Sequence, residues 1–103
     1  MFNINNISWS IKLTSPNHPK LQRRDGSFAL GACDNITHTI YINEQTPDYK
    51  IKKVLCHEIT HAAMFSYDVN IGIEQEELVA DLIATYGAEI INVTNKIFSR
   101  IAK

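Results

Sequence analysis

Residues 57–61 read His-Glu-Ile-Thr-His. On an α-helix, residues four apart project from one face about one turn from each other, so His57 and His61 can bring two imidazole nitrogens to a single metal ion. A catalytic zinc site needs three protein ligands and one open position for water. The pentapeptide supplies two, so a third must lie elsewhere in the chain. Cys56 adjoins His57, but neighbours on a helix point about 100° apart, which makes it a poor ligand and a better small packing residue.

The third ligand is sought downstream. The metzincin arrangement would need Gly and His at positions 64 and 67, where this chain has Met64 and Tyr67, so that class is excluded. A carboxylate on a following helix is the remaining candidate. Residues 77–81, Glu-Leu-Val-Ala-Asp, put Glu77 and Asp81 on one helical face, and Ala80, Ala84 and Ala88 keep that side small enough for two helices to approach closely. Glu74 and Glu76, beside them, read as a solvated first turn favoured by the helix dipole.

These side chains require two helices and a support for them. Thr46 reads as an N-cap, Pro47 fits the first helical position and Asp48 favours the positive helix end. Ile51, Val54, Leu55, Ile59, Ala62 and Ala63 then keep helical spacing to about Phe65. Asp68, Asn70 and Gly72 mark a connection over residues 66–73. A second helix is expected from Glu74, with Leu78, Leu82, Tyr86, Ile90, Val93, Ile97 and Ile101 as an apolar stripe that is core or in part a dimer surface, and with a bend near Gly87.

The first half alternates with period two. Ile7, Trp9, Ile11 and Leu13 face Ser8, Ser10, Lys12 and Thr14 across a strand. Residues 15–19 interrupt it, and His18 there is given no role. A turn at 24–27 precedes a second strand over residues 28–33, and a third over 36–42 alternates with Ile36, His38, Ile40 and Ile42 on one side. The expected fold class is α+β, a three-stranded mainly antiparallel sheet packed on two long helices.

Bulk properties bound the rest. A chain of 103 residues has room for one core, so residues 1–103 read as a single domain. Hydrophobic residues are 45% and charged residues 20%, ordinary globular usage. With a formal charge of −1 and scattered Lys and Arg, no nucleic-acid partner is expected. The N-terminal residues carry no basic-then-apolar leader and no run is long enough to span a bilayer, so no membrane partner is expected and the compartment reads as cytoplasmic. Cys33 and Cys56 are too few for a disulfide framework and fit a reducing compartment. Oligomeric state is not readable from these features.

His57-Glu58-x-x-His61 followed by Glu77-x-x-Ala80-Asp81 resembles the gluzincin branch of zinc metallopeptidases, and the size is similar to the minimal metallopeptidase domains of bacteria and phages, the ImmA/IrrE-like group among them. The resemblance covers roughly residues 36–88. It implies a minimal zincin-like domain holding one Zn²⁺ through His57, His61 and Glu77. Glu58 would be the base that takes a proton from zinc-bound water, and Asp81 would orient a ligand histidine. It also implies a protein or peptide substrate docked along an edge strand at Thr37, His38, Thr39, Ile40 and Tyr41. An oxyanion stabiliser would come from Tyr67, Tyr86 or His38, since the chain is too short for the second subdomain that supplies one in larger relatives. The implied activity is hydrolysis of peptide bonds in an intracellular protein. The alternative is a non-catalytic zinc-binding interaction module of anti-repressor or inhibitor type, against which an intact Glu58 speaks, because a purely structural zinc site has no use for a base.

Overall fold

In the computed structural model, which describes residues 1–102, the chain begins with a hairpin. Asn5 and Asn6 both have positive φ, 50° and 61°, as a two-residue type I′ turn requires. Phe2–Ile4 (β1) therefore folds back antiparallel on Ile7–Thr14 (β2), with Phe2 opposite Trp9. Beyond Trp9, β2 has no neighbour on that side, and Leu13 is 62% exposed. The expected buried face of this strand is thus limited to its first half.

The chain then crosses the sheet. A short 3₁₀ turn, Pro19–Leu21, is opened by His18, whose Nδ1 accepts from the Lys20 N–H at 3.0 Å. Residues 22–28 form a small overhanging loop, closed by a bridge between Gln22 and Phe28. Gly26, at φ +89°, turns its tip, and its N–H donates to the Arg23 carbonyl at 3.0 Å; glycine takes this left-handed backbone without a Cβ clash.

Gly31–Asp34 (β3) and Thr39–Asn43 (β4) complete a four-stranded mixed sheet in the order β1-β2-β4-β3. The expected three-stranded antiparallel sheet is corrected on two points: β1 is an additional strand, and β4 runs parallel to β2 while antiparallel to β3. The crossover over residues 15–30 makes this possible, because parallel neighbours cannot be joined by a tight turn. Ile36 and His38 also leave the third strand. They belong to the turn before β4, where Ile36 is 93% exposed and His38 has φ 50°.

Burial on both faces of β4 follows from its central place. Ile40 and Ile42 join Trp9 and Ala62 in the core beneath the first helix. Tyr41, on the opposite face, stacks on His18 with ring centroids 5.4 Å apart. The buried Leu21 belongs to the same 3₁₀ turn, which packs against β3 and β4.

Asp48–Ser66 (α1) lies over β3 and β4. Pro47 takes the N-cap position with no side-chain cap, and Thr46, expected there, instead donates its hydroxyl to the Asn43 carbonyl at 2.6 Å. At the other end, Trp9 Nε1 donates to Ser66 Oγ at 2.9 Å and Asn5 Nδ2 to the Ser66 carbonyl at 2.8 Å, tying α1 to the hairpin. Asp68 ends the helix in the left-handed region, at φ 53°. Its N–H donates to Phe65 and that of Val69 to Met64, the paired bonds of a Schellman stop.

Ile73–Ile101 (α2) returns antiparallel along α1. Ala80 is fully buried against it and Ala84 and Gly87 are half-buried, so small residues set the approach. The stripe expected as core is a correction: Leu78, Leu82, Tyr86, Ile90, Val93 and Ile97 are all exposed. At about 1.5 Å per residue, the 29-residue α2 outruns the 19-residue α1 by about 15 Å. Every residue from Ala88 to Ile101 is exposed. No helix among the described residues is long and apolar enough to cross a membrane.

Candidate metal centre

Helical geometry turns His57 and His61 toward α2 and Glu58 toward β3. Because α2 runs antiparallel, the later histidine meets the earlier acidic residues and the earlier histidine meets Asp81. His57 Nε2 and His61 Nε2 lie 3.1 Å apart. The two carboxylate oxygens of Glu77 lie 3.2 Å from His57 Nε2 and 2.9 Å from His61 Nε2. These donor atoms converge tightly enough to hold one metal ion. A tetrahedral ion with bonds of about 2.0–2.1 Å separates its ligands by roughly 3.3 Å, close to the spacings here.

The outer nitrogens are both engaged. His57 Nδ1 donates to Asp81 Oδ1 at 2.9 Å, and His61 Nδ1 donates to Glu76 Oε1 at 2.6 Å. A neutral imidazole with its proton on Nδ1 presents only a lone pair at Nε2. In that tautomer the two Nε2 lone pairs and the Glu77 carboxylate can all reach one cation placed among them. The donor set fits zinc: two imidazoles, one carboxylate and a carboxylate behind each ring.

Glu76 corrects the expectation of a solvated first turn. It is 9% exposed and braces His61, whereas Glu74 is exposed. No pattern marks it in the sequence, since its burial depends on how α2 rotates against α1.

Glu58 is buried on the other side of the histidines. Burial pushes its carboxyl above the usual range; His57 and His61 oppose this, and the charge of Glu77 adds to it. Gly31 of β3 passes directly over it. A Cβ at Gly31 would stand 2.9 Å from Val54 Cγ1 and 3.0 Å from Glu58 Cγ, so only glycine lets the strand come this close. A glycine inside a strand is the signal for such an approach. Cys33, two residues on, also lines the groove; burial and then the charges of Glu58, Asp34 and Glu76 push its thiol up to about 12, so it stays protonated.

The expected docking strand is also corrected. Thr39, Ile40 and Tyr41 belong to β4, hydrogen-bonded on both sides, and Thr37 and His38 lie in the turn before it. The strand at the sheet edge beside the site is β3, whose outer side pairs with no strand among the described residues. Between β3 and α2 runs a groove of about 510 Å³, which continues past Glu58 into a second of about 520 Å³. Arg23, from the overhanging loop, lines both and forms no salt bridge with the described residues. The three residues considered for oxyanion stabilisation lie elsewhere. Tyr67 caps α1, Tyr86 is exposed on α2, and His38 packs on Trp9 with ring centroids 4.9 Å apart.

Comparison with protein-family models, curated proteins and solved structures finds no match to this chain.

Proposed function

We propose that this chain is a small zinc-dependent peptidase of zincin-like build, hydrolysing peptide bonds of an intracellular protein. The observation that carries the reading is the convergence of two imidazole nitrogens and the Glu77 carboxylate beside a buried glutamate, Glu58. A zinc ion held by His57, His61 and Glu77 would supply a Lewis acid that lowers the pKa of water toward about 7 and polarises a carbonyl. Glu58 takes the proton of the attacking water on its carboxylate and delivers it to the leaving amine. Its raised proton affinity suits both halves of that task. Asp81 and Glu76 hold the two rings in one tautomer and orientation.

An extended substrate adds to the free edge of β3, where backbone hydrogen bonds align it over Glu58. Arg23, from the loop before β3, lines the groove, where a guanidinium can stabilise a developing oxyanion. Support for an intracellular target comes from Cys33 and Cys56, both free thiols, as a reducing compartment keeps them.

The test is mass spectrometry of a diverse, proteome-derived peptide library incubated with the zinc-loaded protein and with Glu58→Gln. Cuts made by the first and absent from the second are expected. A zinc-loaded wild type that cuts nothing, or cuts that persist in the variant, would overturn the peptidase reading and leave a zinc-holding interaction module.

A further inference from the structure

Over residues 83–97, α2 carries an apolar face that the other described residues leave largely exposed. Ile83, Tyr86, Ile90, Val93 and Ile97 are 40%, 56%, 53%, 48% and 50% exposed. Their spacings run 3, 4, 3, 4, the repeat that keeps one seam facing a partner helix in a coiled coil. In that repeat Ile83, Ile90 and Ile97 fall at the a position and Tyr86 and Val93 at d. A lone helix has no use for such regularity, and a continuous apolar strip of this kind marks an association surface.

The charges on its flank identify the occupant. Between residues 83 and 102 there are only three charged side chains, Glu89, Lys96 and Arg100. Glu89 and Lys96 both fall at g, seven residues and about 10 Å apart along the axis, too far to pair within one helix. In an antiparallel pair of identical helices g faces g, so Glu89 of each copy meets Lys96 of the other. In a parallel pair g faces e, where Gly87, Thr94 and Ile101 stand, and both charges would lack partners. The surface is therefore complementary to itself in one orientation only, as a two-fold interface demands.

We propose that two copies of this chain associate through residues 86–97 of α2 as an antiparallel, two-fold symmetric helix pair. Ile90 then packs against Val93 of the second copy and Tyr86 against its Ile97, with two Glu89–Lys96 ion pairs at the rim. The metal centres are kept out of the contact, since Glu77 and Asp81 project from another side of α2, toward α1.

Sedimentation equilibrium of the full chain at low salt, over a wide concentration range, tests this. A two-chain mass is expected, reduced to one chain by Ile90→Glu. Glu89→Lys or Lys96→Glu alone should each weaken the dimer about tenfold, by setting like charges against each other twice, and Glu89→Lys with Lys96→Glu should restore it. All these positions are exposed in the single chain, and circular dichroism would check that the helices remain. A monomer at every concentration, a larger assembly, a dimer that Ile90→Glu leaves intact, or single reversals without effect would each overturn the proposal.

Discussion

His61 is gripped from two sides, by Glu77 at Nε2 and Glu76 at Nδ1, and only one of these was legible in the sequence. Glu77 and Asp81 stand out because their spacing repeats that of His57 and His61. Glu76 has no such spacing and looks like any acid in a first helical turn. Its brace should nevertheless matter: Glu76→Ala is expected to lower zinc affinity about 10- to 100-fold with the fold retained, while Glu76→Gln, which can still accept from Nδ1, loses less. A competition titration against a chromophoric chelator measures both. Arg23→Ala should reduce kcat about 100- to 1000-fold with little change in zinc content if its guanidinium stabilises the oxyanion. Gly31→Ala drives a methyl into Val54 and Glu58. It should lower stability by about 1–3 kcal/mol in urea unfolding and depress turnover more than zinc binding.

Among the elements, β2 and the two helices were readable because periodicity is a local signal, and their bounds lie within a few residues of those expected. Sheet order was not. The parallel pairing of β2 with β4 depends on a crossover of irregular backbone, and the β1–β2 hairpin hid in an Asn-Asn turn without glycine. Two element-scale outcomes follow. Asp68 holds left-handed backbone at φ 53° to stop α1, so Asp68→Gly is expected to raise stability by about 0.5–1 kcal/mol, read as a shift of the denaturant midpoint. Asp34 joins the crossover to β3. Its Oδ2 accepts from Lys20 Nζ at 2.8 Å, and its Oδ1 accepts from the Ile36 and Thr37 N–H groups. The Lys20 bond, followed by these backbone donors, holds its carboxyl at about 2 rather than the ordinary 3.8. A carboxyl depressed on folding contributes stability that is present above its unfolded value and is lost as pH falls through the folded one. Urea unfolding followed from pH of about 4 down to about 2 should show that loss, and Asp34→Asn should flatten it.

For the whole molecule, the α+β build and the coming together of residues 57, 61 and 77 were within reach of the sequence, because two adjacent helices leave few ways to juxtapose those faces. The fate of the α2 stripe was not, since periodicity says that a face is apolar and not what covers it. On the proposed zinc reading, a small core of Trp9, Ile40, Ile42 and Ala62, with carboxylates gathered around two histidines, should depend on that ion. Removing zinc with a chelator is expected to lower the melting temperature, and readdition at 100 to 1000 times Kd to restore about 2.7–4.1 kcal/mol. The most direct measurement of the central claim is zinc content after desalting, with the X-ray absorption spectrum of the bound metal, for wild type, Glu58→Gln and His57→Ala. One zinc per chain in the first two, coordinated by nitrogen and oxygen without sulfur, and its loss from the third, is the predicted result. A wild type that retains no zinc, or a His57→Ala protein that holds it as tightly, would contradict the account.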